Sequence, residues 1–163
     1  MRCAVKGFLT TQDRRAWLVM SPEGRDTTMH ETVARLRDAI NRHDVARMAE
    51  VFSPDYRSEQ PAHPNRGFGG RDQVVTNWTA MFAGMPDFSA EVVSEGTADR
   101  TVWSEWVWRG SRGDGSALHM RGVVVLGPDD TGRIEWARLY MEPVEEGGDD
   151  INQTMQQLTH LAE

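Results

Sequence analysis

Apolar positions recur with a helical period in the first half of the chain and with a strand period in the second. Residues 28–42 place apolar side chains every three or four positions, which predicts a first helix. Asp44 is a suitable N-cap for a second, shorter helix that carries Phe52 and ends at Ser53-Pro54, and Asp72 for a third helix that ends at residues 84–86. A last helical pattern follows the Gly147-Gly148 break, with apolar side chains at Ile151, Met155, Leu158 and Ala162.

Four segments of the second half have alternating or continuous apolar patterns, and they predict strands at residues 88–95, 101–109, 117–126 and 133–143. The connections between them are short and rich in turn residues, which indicates an antiparallel meander. A shorter strand is predicted at residues 56–60, before a loop rich in proline and glycine. We therefore expect an α+β fold in which a curved antiparallel sheet wraps the N-terminal helices and a C-terminal helix follows.

The 163 residues are enough for one domain. Residues 1–27 have no sustained period, and the cluster at residues 21–24 is typical of a turn. We interpret residues 1–27 as a loosely attached N-terminal extension and residues 28–163 as a single domain.

Composition excludes several classes of function. The net charge is −7 and the basic residues form no run, which argues against nucleic-acid binding. No apolar stretch approaches the ~20 residues that span a membrane, and the single cysteine excludes an intramolecular disulfide and a cysteine zinc site. The five histidines have no metal-ligand spacing, and no phosphate-binding loop is present. We expect a cytoplasmic protein that acts without a metal or cofactor.

The strand alternation separates two faces of the predicted sheet. One set of positions is uncharged, and we assign it to the concave face beneath the helices, where Gly122 would make room for a neighbouring indole. A shift of one residue in register would exchange the two faces. This inner set comprises Trp106, Trp108, Leu118, Met120, Gly122, Ala137, Leu139 and Met141.

Large side chains on the third helix are expected to cover this face and to enclose a pocket for a planar apolar ligand. Ordinary core packing is the alternative for each of them. The predicted pocket residues are Trp78, Met81, Phe82, Trp106, Trp108, Met120, Leu139 and Met141.

The opposite face mixes aromatic and charged side chains, a composition typical of association interfaces. We predict a homodimer through this outer face, which carries Trp103, Arg121, Trp136, Arg138 and Tyr140. The alternatives are a solvated face or one that the C-terminal helix covers.

The order of these elements, and the segments at residues 39–52, 69–72, 86–88, 102–108 and 132–142, resemble the nuclear transport factor 2-like superfamily. The chain is most similar to its branch of SnoaL-like polyketide cyclases and limonene epoxide hydrolases, over residues 29–143. The resemblance implies a cone-shaped sheet that is open at one end onto a hydrophobic pocket. It also implies frequent dimerisation through the outer sheet face.

The catalytic positions of that branch are not retained. The inward Arg-x-Asp pair of the epoxide hydrolases falls on Trp106 and Trp108, and a further aspartate, which also serves the cyclases, falls on Leu139. The water-holding Tyr-x-Asn pair falls on Ser58 and Gln60. Epoxide hydrolysis needs carboxylates for proton transfer, so this activity is disfavoured.

His63, in the loop after the short strand, is the remaining candidate base, with Ser58 or Gln60 holding a substrate oxygen. The alternative is an exposed loop histidine. Two functions stay open: a cofactor-free cyclase, isomerase or hydratase acting by proton transfer on a polyketide-like or other apolar substrate, and a non-catalytic ligand-binding or accessory protein.

Overall fold

A computed structural model of the protein describes residues 22–159, with side chains from residue 29 onward. The helices are α1 (Pro22–Asn41), α2 (Val45–Val51), α3 (Arg71–Gly84) and α4 (Ile151–Thr159). The strands are β1 (Phe52–Glu59), β2 (Phe68–Gly69), β3 (Ser89–Ala98), β4 (Thr101–Ser111), β5 (Ala117–Pro128) and β6 (Ile134–Pro143).

The strands form one curved sheet in the order β2-β1-β6-β5-β4-β3. Strands β3 to β6 are an antiparallel meander, which confirms the predicted α+β fold. Strand β1 adds to β6 in parallel, with Ser58 opposite Ala137, so the complete sheet is mixed. The local pattern does not reveal this pairing because the two strands are far apart in sequence.

Helix α1 packs against the sheet, and two of its side chains bond to β3: His30 Nδ1 lies 2.6 Å from Glu95 Oε1, and Asn41 bonds to the β3 backbone. The Asn41 amide donates to the carbonyl oxygen of Ala90 and accepts from its backbone N–H, both at 2.8 Å. The turn predicted at residues 21–24 is wrong for residues 22–24, which already belong to α1, because proline is tolerated in the first turn of a helix. Of the predicted extension, residues 1–21 lie outside the described residues and residues 22–27 are helical.

Of the two N-caps predicted from the sequence, the one for α2 is correct and the one for α3 is wrong. The carboxylate of Asp44 accepts from the backbone N–H of Arg47 at 2.9 Å and caps α2 as predicted, but α2 ends at Val51 and Phe52 starts β1. The N-cap of α3 is Gly70, with φ of +88°, and not Asp72, which lies in the first turn. Gly70 takes this position because its N–H donates to the carbonyl oxygen of Tyr56 at 2.7 Å, where β2 pairs with β1.

The inner and outer faces are those predicted from the alternation. Trp106 is 1% exposed and lies in the core, whereas Trp103 on the same strand is 53% exposed. Gly122 lies directly opposite Trp106, beside an indole as predicted, and a side chain there would also overlap the Tyr140 carbonyl oxygen of the neighbouring strand. At Gly127 a Cβ would overlap the ring of Trp136.

The C-terminal helix forms as predicted, and Ala162 lies outside the described residues. Its apolar side chains Ile151, Met155 and Leu158 are exposed. Among the helices that the structure describes, none has the length and apolar character needed to cross a bilayer.

Candidate functional site

A cavity of about 190 Å³ lies between the inner face of the sheet and the helices α1 and α3. Strand curvature and the packing of α3 across the sheet create it. Its walls are mostly aliphatic and aromatic. The lining residues are Leu36, Ile40, Phe52, Tyr56, Ser58, Gln60, Phe68, Val74, Asn77, Trp78, Met81, Trp106, Trp108, Val124, Leu126, Ile134, Ala137 and Leu139.

An aromatic cluster forms one side of the cavity. Trp78 from α3 meets Trp108 from β4 in an edge-to-face arrangement, with ring centroids 5.9 Å apart. The ring of Phe88 packs against both indoles, with its centroid 5.6 Å from that of Trp78 and 6.0 Å from that of Trp108. Such edge contacts hold the rings in defined orientations, so this side of the cavity is apolar and its ring planes stand at steep angles to one another.

Polar side chains lie on the β1 side of the cavity and on α3. Tyr56, Ser58 and Gln60 alternate along β1 and the residue after it, and Asn77 faces the cavity from α3. Burial raises the pKa of Tyr56 to about 12, and a hydrogen bond with Ser58 offsets part of this rise. At neutral pH the phenol therefore keeps its proton and acts as a neutral hydrogen-bonding group.

The two inward indoles of β4 differ in their hydrogen bonds. Trp106 Nε1 donates to Ser104 Oγ at 2.8 Å, and Ser104 Oγ donates to the carbonyl oxygen of Val124 at 2.9 Å. Trp108 Nε1 is buried and has no hydrogen-bond partner in the described part of the protein.

Most of the predicted pocket residues line the cavity: Trp78, Met81, Trp106, Trp108 and Leu139, together with Ser58 and Gln60. Phe82, Met120 and Met141 do not. Phe82 stacks on His43 at 4.3 Å, Met141 is buried in the core, and Met120 packs against that core. Their periodicity places these three side chains on the correct faces. Their positions along the helix or strand bring them to the packed core and not to the cavity.

Tyr56 and Asn77 are the important residues that sequence reasoning missed. Tyr56 has the same strand parity as Ser58 and Gln60, which is a signal for the inner face. Asn77 completes a helical stripe with Val74, Trp78 and Met81, all of which line the cavity.

The structure does not bring His63 to the cavity wall. Its Nε2 lies 2.9 Å from Oε1 of Glu142, and both side chains are substantially exposed. Within residues 22–159, histidine, cysteine and carboxylate side chains form no cluster of three that could hold a metal ion.

The outer face of the sheet is covered by paired charges. Arg121 lies 2.7 Å from Glu105 and Arg138 lies 2.8 Å from Glu59, while the Arg138 guanidinium sits 5.2 Å above the Trp136 ring. The hydrogen bonds from Arg121 lower the pKa of Glu105 below its usual value. Trp103 and Tyr140 stay exposed among these pairs.

Comparison with known proteins gives a family and a set of similar folds. Residues 33–136 match the model of the SnoaL-like domain. None of the curated proteins matches the chain.

Three solved structures illustrate the similarity of fold. The epoxide hydrolase/cyclase-like enzyme SalBIII, associated with pyran ring formation in the polyether salinomycin, is 16% identical with a TM-score of 0.65 over 72% of this chain and 94% of its own. An LEH-like epoxide hydrolase from Mycobacterium tuberculosis is 20% identical, with a TM-score of 0.64, and the match covers 74% of this chain and 86% of that enzyme. Rv0760c from the same organism, in complex with estradiol-17β-hemisuccinate, is 15% identical, with a TM-score of 0.61. The match covers 69% of this chain and 92% of Rv0760c.

Proposed function

The chain belongs to the SnoaL-like domain family, and on this premise we propose that its cavity binds a small, largely apolar molecule that carries a neutral polar group. The observation that carries the proposal is the lining itself. Among the described lining residues none is a lysine, arginine, histidine, aspartate or glutamate, and most are aliphatic or aromatic. An ionised ligand would lose hydration here without gaining an opposite charge.

The size of the cavity favours a compact ligand. About 190 Å³ lies below the ~300–1,000 Å³ typical of pockets for drug-sized molecules. The rings of Trp78 and Trp108 can contact a planar ring system through a face or an edge. The polar side chains that can orient one hydroxyl or carbonyl group are Tyr56, Ser58, Gln60 and Asn77. The similar fold of Rv0760c is in complex with estradiol-17β-hemisuccinate, and the fused rings of that ligand support a planar ring system as part of the ligand class.

The neutral planar probe 6-acetyl-2-naphthol tests this proposal by equilibrium dialysis. Leu139→Trp fills the cavity with an uncharged side chain, and we expect it to weaken binding at least about tenfold, since much of the buried contact area is lost. Tyr140→Trp is the matched control, because Tyr140 is the next residue along β6 and its side chain lies on the outer face. The control should bind the probe as the wild type does. Absent binding by the wild type, or equal binding by the Leu139→Trp protein, would overturn the proposal.

Proton-transfer catalysis is the second candidate, and one observation favours it. His63 and Glu142 form a pair at 2.9 Å, and His63 lies three residues beyond the cavity-lining Gln60. A histidine paired with a carboxylate is a common acid–base unit. In this function the pair would act on the part of a bound carbonyl compound that extends out of the cavity, to cyclise, isomerise or hydrate it.

The methyl protons of 6-acetyl-2-naphthol, next to its carbonyl group, report such chemistry. If the pair acts as a base, the protein should accelerate their exchange for deuterium in D₂O, as followed by proton NMR. His63→Ala should abolish the acceleration while the probe still binds. Binding without accelerated exchange in the wild type would leave recognition alone as the function.

A further inference from the structure

Trp106 and Trp108 lie two residues apart on one face of β4, and each has an indole Nε1–H that can donate one hydrogen bond. Trp106 Nε1 is satisfied inside the protein by Ser104 Oγ at 2.8 Å. Trp108 Nε1 is buried and has no partner among the residues that the structure describes, and Trp108 as a whole is 9% exposed. The difference therefore lies in the surroundings of each indole and not in its chemistry.

An unpaired buried donor is unusual in a folded protein. Such a group lowers stability because its lost hydration is not replaced, and most buried indole N–H groups find an acceptor. The rings that contact Trp108 are those of Trp78 and Phe88, which are weak acceptors at best. The packing of Trp108 against these rings uses its apolar surface and leaves its N–H unused.

We propose that Trp108 is a specificity-determining residue whose Nε1–H donates to a carbonyl or ether oxygen of the molecule bound in the cavity. This inference rests on the proposed function, because Trp108 can select an acceptor only in a ligand that enters the cavity. It adds a second, separate polar contact to the one offered by Tyr56 and its neighbours.

The position of Trp108 in the sheet determines which part of the ligand it would meet. Strands β1 and β4 are separated by β6 and β5, so three inter-strand spacings of about 4.8 Å separate them along the sheet. Trp108 and Tyr56 therefore approach a ligand from different sides. The ligand class is a compact apolar molecule with oxygen atoms at two separated positions, one of which is a carbonyl or ether acceptor.

Access to Nε1 requires a small rearrangement of its cover. Phe88 is 2% exposed and firmly packed, whereas Trp78 is half-buried and lines the same cavity. Of these two neighbours, Trp78 is the less tightly packed and has more freedom to move when a ligand oxygen approaches Trp108.

Two probes of nearly equal shape test the proposal: 6-acetyl-2-naphthol, and 6-isopropenyl-2-naphthol, in which a CH₂ group replaces the carbonyl oxygen. The quantity of interest is the dissociation constant of the isopropenyl compound divided by that of the acetyl compound, from equilibrium dialysis. Trp108→Phe keeps a ring but removes the donor, and we expect this ratio to fall about tenfold, as one hydrogen bond implies.

Trp106→Phe is the matched control, because it makes the same ring change at a donor that is already paired. It should alter the affinity for both probes alike and leave their ratio at the wild-type value. A wild-type ratio that persists in Trp108→Phe would overturn the inference while leaving ligand binding intact. Failure of both probes to bind the wild type would overturn the proposed function as well.

Spectroscopy of the wild type keeps the inference testable if Trp108→Phe does not fold. In protein with ¹⁵N-labelled tryptophan, the acetyl probe should move the proton resonance of the Trp108 Nε1–H downfield, because this N–H gains an acceptor. The isopropenyl probe should not produce this shift. Equal shifts with both probes would contradict the hydrogen bond and indicate ring contact alone.

Discussion

The inner and outer faces of one sheet, built from the same strands, have opposite chemistry. On the inner face of β4, Trp106 and Trp108 are buried and the adjoining cavity has no charged lining residue among those described. On the outer face of the same strand, Glu105 pairs with Arg121 and Arg109 lies 3.4 Å from Glu91. Charge is confined to the side where water can solvate it.

This difference separates two kinds of recognition. The inner face can distinguish ligands through shape and a few neutral hydrogen-bonding groups, because a buried charge without a partner is strongly unfavourable. The outer face offers aromatic rings framed by arginine–carboxylate pairs, which suits contact with a large polar surface. The two faces should therefore respond differently to the same type of substitution.

The largest contrast is expected in stability. Trp106→Ala should lower the free energy of unfolding by about 3–5 kcal/mol, because it leaves a cavity in the core and removes the bond to Ser104. Trp103→Ala, at a site that is 53% exposed, should lower it by less than about 1 kcal/mol. Urea denaturation followed by circular dichroism measures both. Similar losses for the two variants would mean that the faces are not distinguished by burial.

An alkaline titration should sharpen the contrast at Tyr56. Its pKa of about 12 in the folded protein exceeds the usual value of 10.0, so its contribution to stability is complete below pH 10 and is lost as pH rises through 12. This difference in pKa corresponds to about 2–3 kcal/mol of stability. In a Tyr140→Phe protein, Tyr56 is the only tyrosine, and absorbance near 295 nm follows its ionisation. A rise centred near pH 10 in the folded protein would contradict the burial of the phenol.

The predicted homodimer tests the outer face. Trp103→Glu introduces a charge at its exposed aromatic surface and should weaken self-association about 30-fold, equivalent to ~2 kcal/mol at an interface hot spot. Light scattering over a range of concentrations measures the change. Ile151→Glu, on the exposed side of α4, is the comparison variant. If it dissociates the protein and Trp103→Glu does not, the helix and not the sheet face holds the dimer.

The smallest effect is expected from the outer ion pair of Glu105 and Arg121. Because the pKa of Glu105 is lowered from 4.5 by Arg121, its contribution to stability is present above pH 4.5 and is lost as pH falls through the lower folded value. Glu105→Gln should therefore be slightly less stable than the wild type at pH 6, and the difference should disappear in acid. Urea midpoints between pH 6 and pH 2.5 measure this, and a constant difference would exclude the ion pair as its cause.

Local signals account for the features that could be predicted from sequence. Asp44 caps α2 because a cap needs only the next three residues, and Trp103 and Trp106 take opposite faces because strand alternation is a property of one strand. Asp72 was the wrong cap because Gly70 is held in a left-handed conformation where β2 pairs with β1. That pairing depends on a separate strand and has no local signature.

The sequence by itself determined the α+β order of elements, the uncharged inner face and the absence of carboxylates at Trp106, Trp108 and Leu139. Only the tertiary structure decided that β1 pairs with β6, and that Gly122 serves the close approach of the Tyr140 backbone. It also decided that Tyr56 lines the cavity and that, within residues 22–159, the indole N–H of Trp108 has no acceptor while that of Trp106 has one. The physical reason is that periodicity fixes the direction of a side chain, whereas its partners come from strands and helices distant in sequence.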